Sequence, residues 1–404
     1  MVSNPDSPFV EVNIGDLRLD NSPPNQNIQS FDYERSGLDV GSRVNLAVAS
    51  EDVVEVEEKI IDNRRDVEFR YGWSKGEVSD KYGGRVVDYS TEFYSDSRTA
   101  IFNIQIMTDV VEGYTQDRMK TYTKEDGEPM KIHEIVEDIA EYEGWDIGRI
   151  EKTLPVIDPE LSRRVDEVDE DEIMELQKTF SQDGLSSIKF IKDELLINAV
   201  SEEGRGGYHL WFEDVIDNPK IFFAPVSYKG DPVDEYVYKL GARDSRIISF
   251  THHYEGALTL YGGSGTLKSE FVESVTNKLS ENVLKDMEIE HAEERMMDLD
   301  KRAVKYTNES VATIEEAIGK EKALKTRGQS FAYRAEMQIR GNPNFKIHDM
   351  IDVIIYTRKG RYHHTSGRYM IWNVTDTISE GNYITGLELR RDTTKAEVEE
   401  KEVD

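Results

Sequence analysis

The chain has 404 residues, of which 81 are Asp or Glu and 50 are Lys or Arg, for a formal net charge of −31. That length exceeds one ordinary hydrophobic core, so roughly two to four packed units are expected, and 20 Tyr, 14 Phe and 4 Trp at 37% hydrophobic residues exclude a disordered chain. The absence of cysteine excludes disulfides, thiolate metal sites and a cysteine nucleophile, while the acidic balance lacks the cationic surplus that neutralises phosphate backbones.

Met1 to Asp16 carries no basic leader followed by an apolar run, and no stretch approaches the ~18 apolar residues of a bilayer span. A soluble protein kept in the cytoplasm until carried out is therefore expected. Phe9-Val10-Glu11-Val12-Asn13-Ile14 alternates apolar and polar before Gly15-Asp16, which predicts a strand and a turn. Arg43 to Val48, Val67 to Tyr71, Arg85 to Tyr89 after Gly83-Gly84, and Thr99 to Met107 repeat the pattern. One helix is predicted between Glu51 and Asn63, with Val53, Val56, Ile60 and Ile61 on a shared face. These elements predict a barrel or sandwich over residues 1–125.

Residues 126–185 read as a small helical unit with an acidic linker. Ile132, Ile135, Val136, Ile139 and Ala140 recur at helical spacing, and Gly144-Trp145 ends the helix. Between Asp158 and Glu175 nine acidic residues face only Arg163 and Arg164, the composition of a solvated connector. Residues 186–265 form a β-rich middle region. Its strands are predicted over Ser187 to Asn198, Gly207 to Phe212, Ile221 to Val226, Val233 to Leu240 and Arg246 to Phe250. Glu, Lys, Ala and Met dominate 266–329, a helical segment with a capping box at Thr313-Ile314-Glu315-Glu316 and Gly328 past its end. Residues 330–392 return to β-strand, and 393–404 form an acidic tail expected to be disordered. The predicted fold class is α+β, mainly β, with two barrel-like β domains and helical pieces between them.

Catalytic patterns are incomplete. Gly262-Gly263-Ser264-Gly265-Thr266-Leu267-Lys268-Ser269 nearly spells a phosphate-binding loop, yet Leu267 stands where glycine must let the backbone bend, so it reads as a glycine turn into a helix. His133-Glu134 opens like a zinc-protease motif, but Glu137 occupies the second ligand position. In the pairs His252-His253 and His363-His364, neighbouring strand side chains point to opposite faces, so neither pair chelates through both rings. The 81 carboxylates select no glycosidase-like pair, and no Gly-x-Ser-x-Gly elbow is present. Tyr208, Trp211, Phe212, Phe222 and Phe223 have the chemistry to stack a sugar or a base, but their strand spacing reads as core. No catalytic, cofactor or metal residue is assigned, and no enzymatic activity is expected.

The C-terminal motifs carry a family resemblance. Ala335-Glu336-Met337-Gln338-Ile339-Arg340-Gly341-Asn342-Pro343 is followed by Lys346-Ile347-His348-Asp349-Met350-Ile351-Asp352-Val353, then Ser366-Gly367-Arg368-Tyr369-Met370-Ile371. Asn382-Tyr383-Ile384-Thr385-Gly386-Leu387-Glu388-Leu389-Arg390-Arg391 closes the block. This order resembles the late-control-protein-D family, the baseplate hubs of contractile phage tails. Phe69-Arg70-Tyr71-Gly72, Gly84 to Ser90, and Lys131 to Trp145 are similar to the same family more loosely. The resemblance implies two tube-protein-like barrels per subunit and a homotrimer that offers six barrels to a sixfold tail tube. It implies as partners the tail tube or a tube-initiator protein, a central spike and a tape-measure protein, with DNA passing through a channel without specific binding. The place implied is the virion tail baseplate, assembled in the host cytoplasm. The chain departs from hubs with an attached wall-cutting domain, which is not expected after Arg391. A baseplate peptidoglycan hydrolase and the hub of a phage-derived injection system are the alternatives. A further expectation is that carboxylates line the channel.

Overall fold

The computed structural model describes residues 7–22, 27–37, 41–156, 177–202, 207–214, 216, 219–228, 230–240, 245–254 and 333–391. Most of the acidic linker, the glycine turn at 262–269, the helical segment 266–329 with its capping box, and the tail 393–404 lie outside the described residues.

Period-two alternation builds the N-terminal half. Its elements are β1 (Pro8–Ile14), β2 (Leu17–Asp20), β3 (Ile28–Ser36), β4 (Arg43–Ser50), α1 (Val53–Asp62), β5 (Val67–Trp73), β6 (Tyr82–Glu92) and β7 (Ala100–Thr108). β1 buries Val10, Val12 and Ile14 while Phe9, Glu11 and Asn13 face outward, and Gly15 takes φ +56 to turn into β2. Asp52 caps α1 by accepting from the Glu55 N–H at 3.1 Å. The buried face of α1 is narrower than predicted: Val56 and Ile60 are covered, but Ile61 is 54% exposed. The strand order is β3-β4-β7-β6-β5-β1-β2. β3 and β5 are not neighbours in it, yet the Tyr33 and Phe69 rings lie 5.2 Å apart, as do those of Phe31 and Tyr71. The sheet is therefore rolled over its own aromatic core.

The middle unit contains β8 (Asp117–Thr121), α2 (Ile132–Glu143), β9 (Asp146–Ile150), β10 (Ser181–Ser186), α3 (Ser187–Phe190, widening through Ile191–Leu195), β11 (Tyr208–Glu213) and β12 (Lys220–Pro225). α2 buries Ile132, Ile135, Val136, Ile139 and Ala140, and Gly144 ends it at φ +74. The predicted strand at Ser187 to Asn198 is instead the helix α3. Ile188, Ile191 and Leu195, three and four residues apart, bury one helical stripe against the α2 core.

The C-terminal half contains β13 (Asp234–Lys239), β14 (Ile247–Tyr254), β15 (Tyr333–Arg340), β16 (Met350–Tyr356), β17 (Gly367–Ser379) and β18 (Asn382–Arg390). β13 pairs in parallel with β16, and β14 pairs antiparallel with β15. The sequence pattern places both in the middle region, but they hydrogen-bond into the C-terminal sheet. The path β13-β16-β17-β18-β15-β14 bends round until Arg246, just before β14, pairs with Asp234 of β13 at 3.0 Å. The protein is mainly β, as predicted.

The long strand β17 joins the halves. Its start pairs with β16 and its end with β3, through Asn373↔Ser36 to Ser379↔Ser30. One continuous sheet thus crosses from one half to the other.

Candidate functional site

Eight antiparallel strands of that sheet follow the order β14-β15-β18-β17-β3-β4-β7-β6. One face is covered by the two cores. The other carries short polar side chains: Ser249 and Thr251 on β14, Glu336 and Gln338 on β15, Thr375 and Thr377 on β17, Ser30 and Asp32 on β3, Asn45 on β4, Asn103 and Gln105 on β7, and Asp88 and Ser90 on β6. Arg43, Arg334 and Arg340 sit at or beside strand ends. Ile101, Met107 and Ile384 share its register as partly covered side chains, so the face is mainly polar.

Both edges of this face are open among the described residues. β5 pairs with β6 only through Tyr82–Gly84. The Val86 N–H reaches the Arg64 carbonyl at 2.7 Å, and from Val87 to Glu92 no strand lies on the outer side. β14 makes ladder hydrogen bonds with β15 alone, and β13 flanks only its start, where Arg246 meets Asp234. Because strand direction alternates over an even number of strands, β6 and β14 run antiparallel to each other. A neighbouring copy brought edge to edge would therefore continue the same alternation. Open edges of this length are templates for pairing.

Buried polar ties hold the face in shape. Asp376 on β17 is fully buried. It pairs with Arg35 of β3 and accepts from the Tyr71 hydroxyl at 2.7 Å, the Tyr383 hydroxyl at 2.9 Å and the Thr385 hydroxyl at 2.6 Å. Arg35 also donates to the Phe345 carbonyl at 2.6 Å. A second tie docks the middle unit. Asp214, just after β11, accepts from the Ser42 hydroxyl and from the Tyr33 hydroxyl at 3.1 Å. Burial pushes the Asp214 carboxyl above its usual range, against the hydrogen bonds from Ser42, Thr108 and Tyr33. On the C-terminal side Trp211 packs on His348, ring centroids 4.2 Å apart, and His209 meets Trp372 edge-on at 4.8 Å. His348 holds φ +71, and burial drives its ring pKa down to about 3.

The residues tested in the sequence take structural places. The Thr153 N–H donates to His133 Nδ1 at 3.0 Å, and Glu134 accepts from the Lys131 N–H at 2.7 Å, so the zinc-like pair is a helix-start lock. His252 and His253 point to opposite sides of β14 as expected, whereas His363 and His364 lie in a turn with ring centroids 4.3 Å apart, because strand alternation does not apply there. His253 lies 3.8 Å from Glu336, whereas the His252 ring approaches His364 at 6.4 Å. Tyr208 and Phe223 pack together at 4.8 Å in the middle core, Phe212 lies edge-on to Trp145 at 4.8 Å, and Trp211 stacks on Phe222 at 5.1 Å. Among the described residues, no group of three or more His, Asp or Glu is arranged to hold a metal ion, and no helix is long and apolar enough to cross a membrane. Sequence reading missed Arg35, Asp214 and Asp376.

No family model matches the sequence, and no curated protein matches it significantly. Solved structures do share its fold. A tail protein from Neisseria meningitidis MC58 superposes with a TM-score of 0.56 at 8% identity, over 96% of this chain and 97% of that one. The 43 kDa tail protein of prophage MuSo2 from Shewanella oneidensis gives a TM-score of 0.57 at 10% identity, over 96% of this chain and 100% of its own.

Proposed function

We propose that this chain is a structural, non-catalytic subunit of a phage-type tail, the hub of its baseplate. It works as a homotrimeric ring that joins a tail tube to a central spike and leaves a channel for DNA. The observation that carries the reading is the eight-stranded sheet with one mainly polar face and, among the described residues, two open, mutually antiparallel edges. Head-to-tail copies that pair β6 with β14 use a heterologous interface, which closes into a ring when the rotation per copy divides a full turn. The polar face then becomes the channel wall. Asp32, Glu34, Asp88, Glu92 and Glu336 outnumber Arg43, Arg334 and Arg340 on that face, and this negative excess would disfavour a phosphate backbone and let DNA slide without sticking.

The two solved tail proteins support the fold half of this reading, and the hub motifs from Ala335 to Arg391 support the placement. The same ring suits the hub of a phage-derived injection machine, in which another cargo passes. Sedimentation velocity on the purified chain tests the assembly, with a closed trimer expected. A species that stays monomeric at high concentration contradicts it. A peptidoglycan zymogram separates the structural role from a wall hydrolase: a cleared band would overturn the non-catalytic reading.

A further inference from the structure

Helix α2 and strand β9 of the middle unit leave a groove of about 790 Å³ on the side away from α2's buried stripe. Met130 and Trp145 line it, Glu134, Glu137 and Glu141 form one helical stripe along its wall, and Ile147 faces it from β9. β9 is an edge strand. It pairs with β12 on one side, and among the described residues no strand lies on the other. The Asp146 N–H is spent on the Pro219 carbonyl at 2.9 Å, toward β12. Alternation along a strand therefore turns the N–H and C=O of Ile147 to the open side, and Ile147 is 54% exposed.

The groove is also electrically one-sided. Glu134 is matched by Lys124 at 3.3 Å, and Asp138 by Lys120 at 2.6 Å. Glu137, Glu141 and Asp146 have no cation within ion-pair distance among the described residues. An edge strand beside a helix is the geometry in which extended peptides dock by strand addition. Backbone hydrogen bonds then give affinity, and the lining selects side chains.

We propose that this groove takes an extended, lysine- or arginine-rich segment of another protein. The segment adds to β9 as a fourth strand of the β11-β12-β9 sheet, with its cations against Glu137, Glu141 and Asp146. The chain's own acidic balance argues for a partner of opposite charge rather than a second copy.

Fluorescence anisotropy on the full chain tests this, with a short fluorescein-labelled peptide of alternating lysine and valine as probe. Saturable binding is expected, and the same peptide with glutamate for lysine should not bind. Ile147→Pro removes one outward N–H without touching the β12 ladder and should weaken binding about tenfold. Glu137→Lys with Glu141→Lys, both exposed on α2, should weaken it at least as much and flatten its salt dependence. Equal binding by wild type and Ile147→Pro would reduce the effect to non-specific charge and overturn the proposal. So would equal binding of the acidic peptide. Self-association of the chain that Ile147→Pro abolishes would assign the groove to a second copy and overturn it likewise.

Discussion

Asp376→Asn is the sharpest perturbation of the sheet that joins the two halves. The substitution keeps the side chain's shape and one acceptor oxygen but removes the charge opposite Arg35, which is only 8% exposed. Losing one member of a buried ion pair costs ~3–5 kcal/mol, because the other charge stays buried without compensation. The retained carboxamide oxygen can still serve Tyr383 and Thr385, whereas Tyr71 and Arg35 face an amide NH2 that accepts no hydrogen bond. The lower end, about 3 kcal/mol, is therefore expected, a large part of the ~5–15 kcal/mol that stabilises a typical domain. Urea unfolding in a double-mutant cycle with Arg35→Met measures it. In the Arg35→Met background the cost of Asp376→Asn should fall below about 1 kcal/mol, since no charge is then left stranded. A cost equal in both backgrounds, or below 1 kcal/mol in the wild type, would refute the claim that this pair locks β3 to β17.

Three further predictions follow from the same geometry. His348 has a folded-state pKa of about 3 against an ordinary value of ~6.5, so the stability it contributes is complete above pH ~6.5 and is lost as pH falls toward 3. His348→Gln should shrink the loss of stability between pH 7 and pH 4 by about 3 kcal/mol in thermal unfolding, and an unchanged acid profile in the variant would contradict it. Asp214→Ala strands the Tyr33 and Ser42 hydroxyls at ~1–3 kcal/mol each. Deuterium exchange should then rise first in β11 and β12, and uniform exchange across the chain would count against a docking role. A Cβ at Gly341 would lie 2.1 Å from the Tyr383 ring, so Gly341→Ala should cost ~1–3 kcal/mol in urea unfolding. A neutral result there would mean that the turn after β15 has room to yield.

Much of the strand and helix content is legible in the sequence, because local period encodes it. Val10, Val12 and Ile14 fix the inner face of β1, and Ile132 to Ala140 fix that of α2. Ser187 to Asn198 reads as a strand because Ile188-Lys189-Phe190 alternates and the stretch is short, while its Ile, Phe and Leu residues suit either period. The membership of β13 and β14 is set by pairing with residues 79 to 117 positions away, which no local pattern records.

The buried ties were hidden among 81 carboxylates, yet a signal was present. Asp376 stands at an inward register position between Val374 and Ile378, and Arg35 continues the inward series of Phe31 and Tyr33. A charged residue in an apolar register must find its counter-charge inside. The open edges carry no such mark, because an unpaired strand looks like a paired one until its neighbours are placed.

The absence of native cysteine makes one measurement especially direct. Cysteines placed together at Ser90 on β6 and Thr251 on β14 of one chain lie on the polar face at opposite edges. Seven strand spacings separate them within one chain, and a ring that pairs β6 with β14 in register would bring them into disulfide range across the seam between copies. Oxidation should convert the protein into covalent dimers and then a trimer that resists denaturant, with either single cysteine giving dimers at most. A double-cysteine protein that stays monomeric under oxidation, while sedimenting as an oligomer, would place the subunit contact elsewhere and contradict the ring of shared sheets.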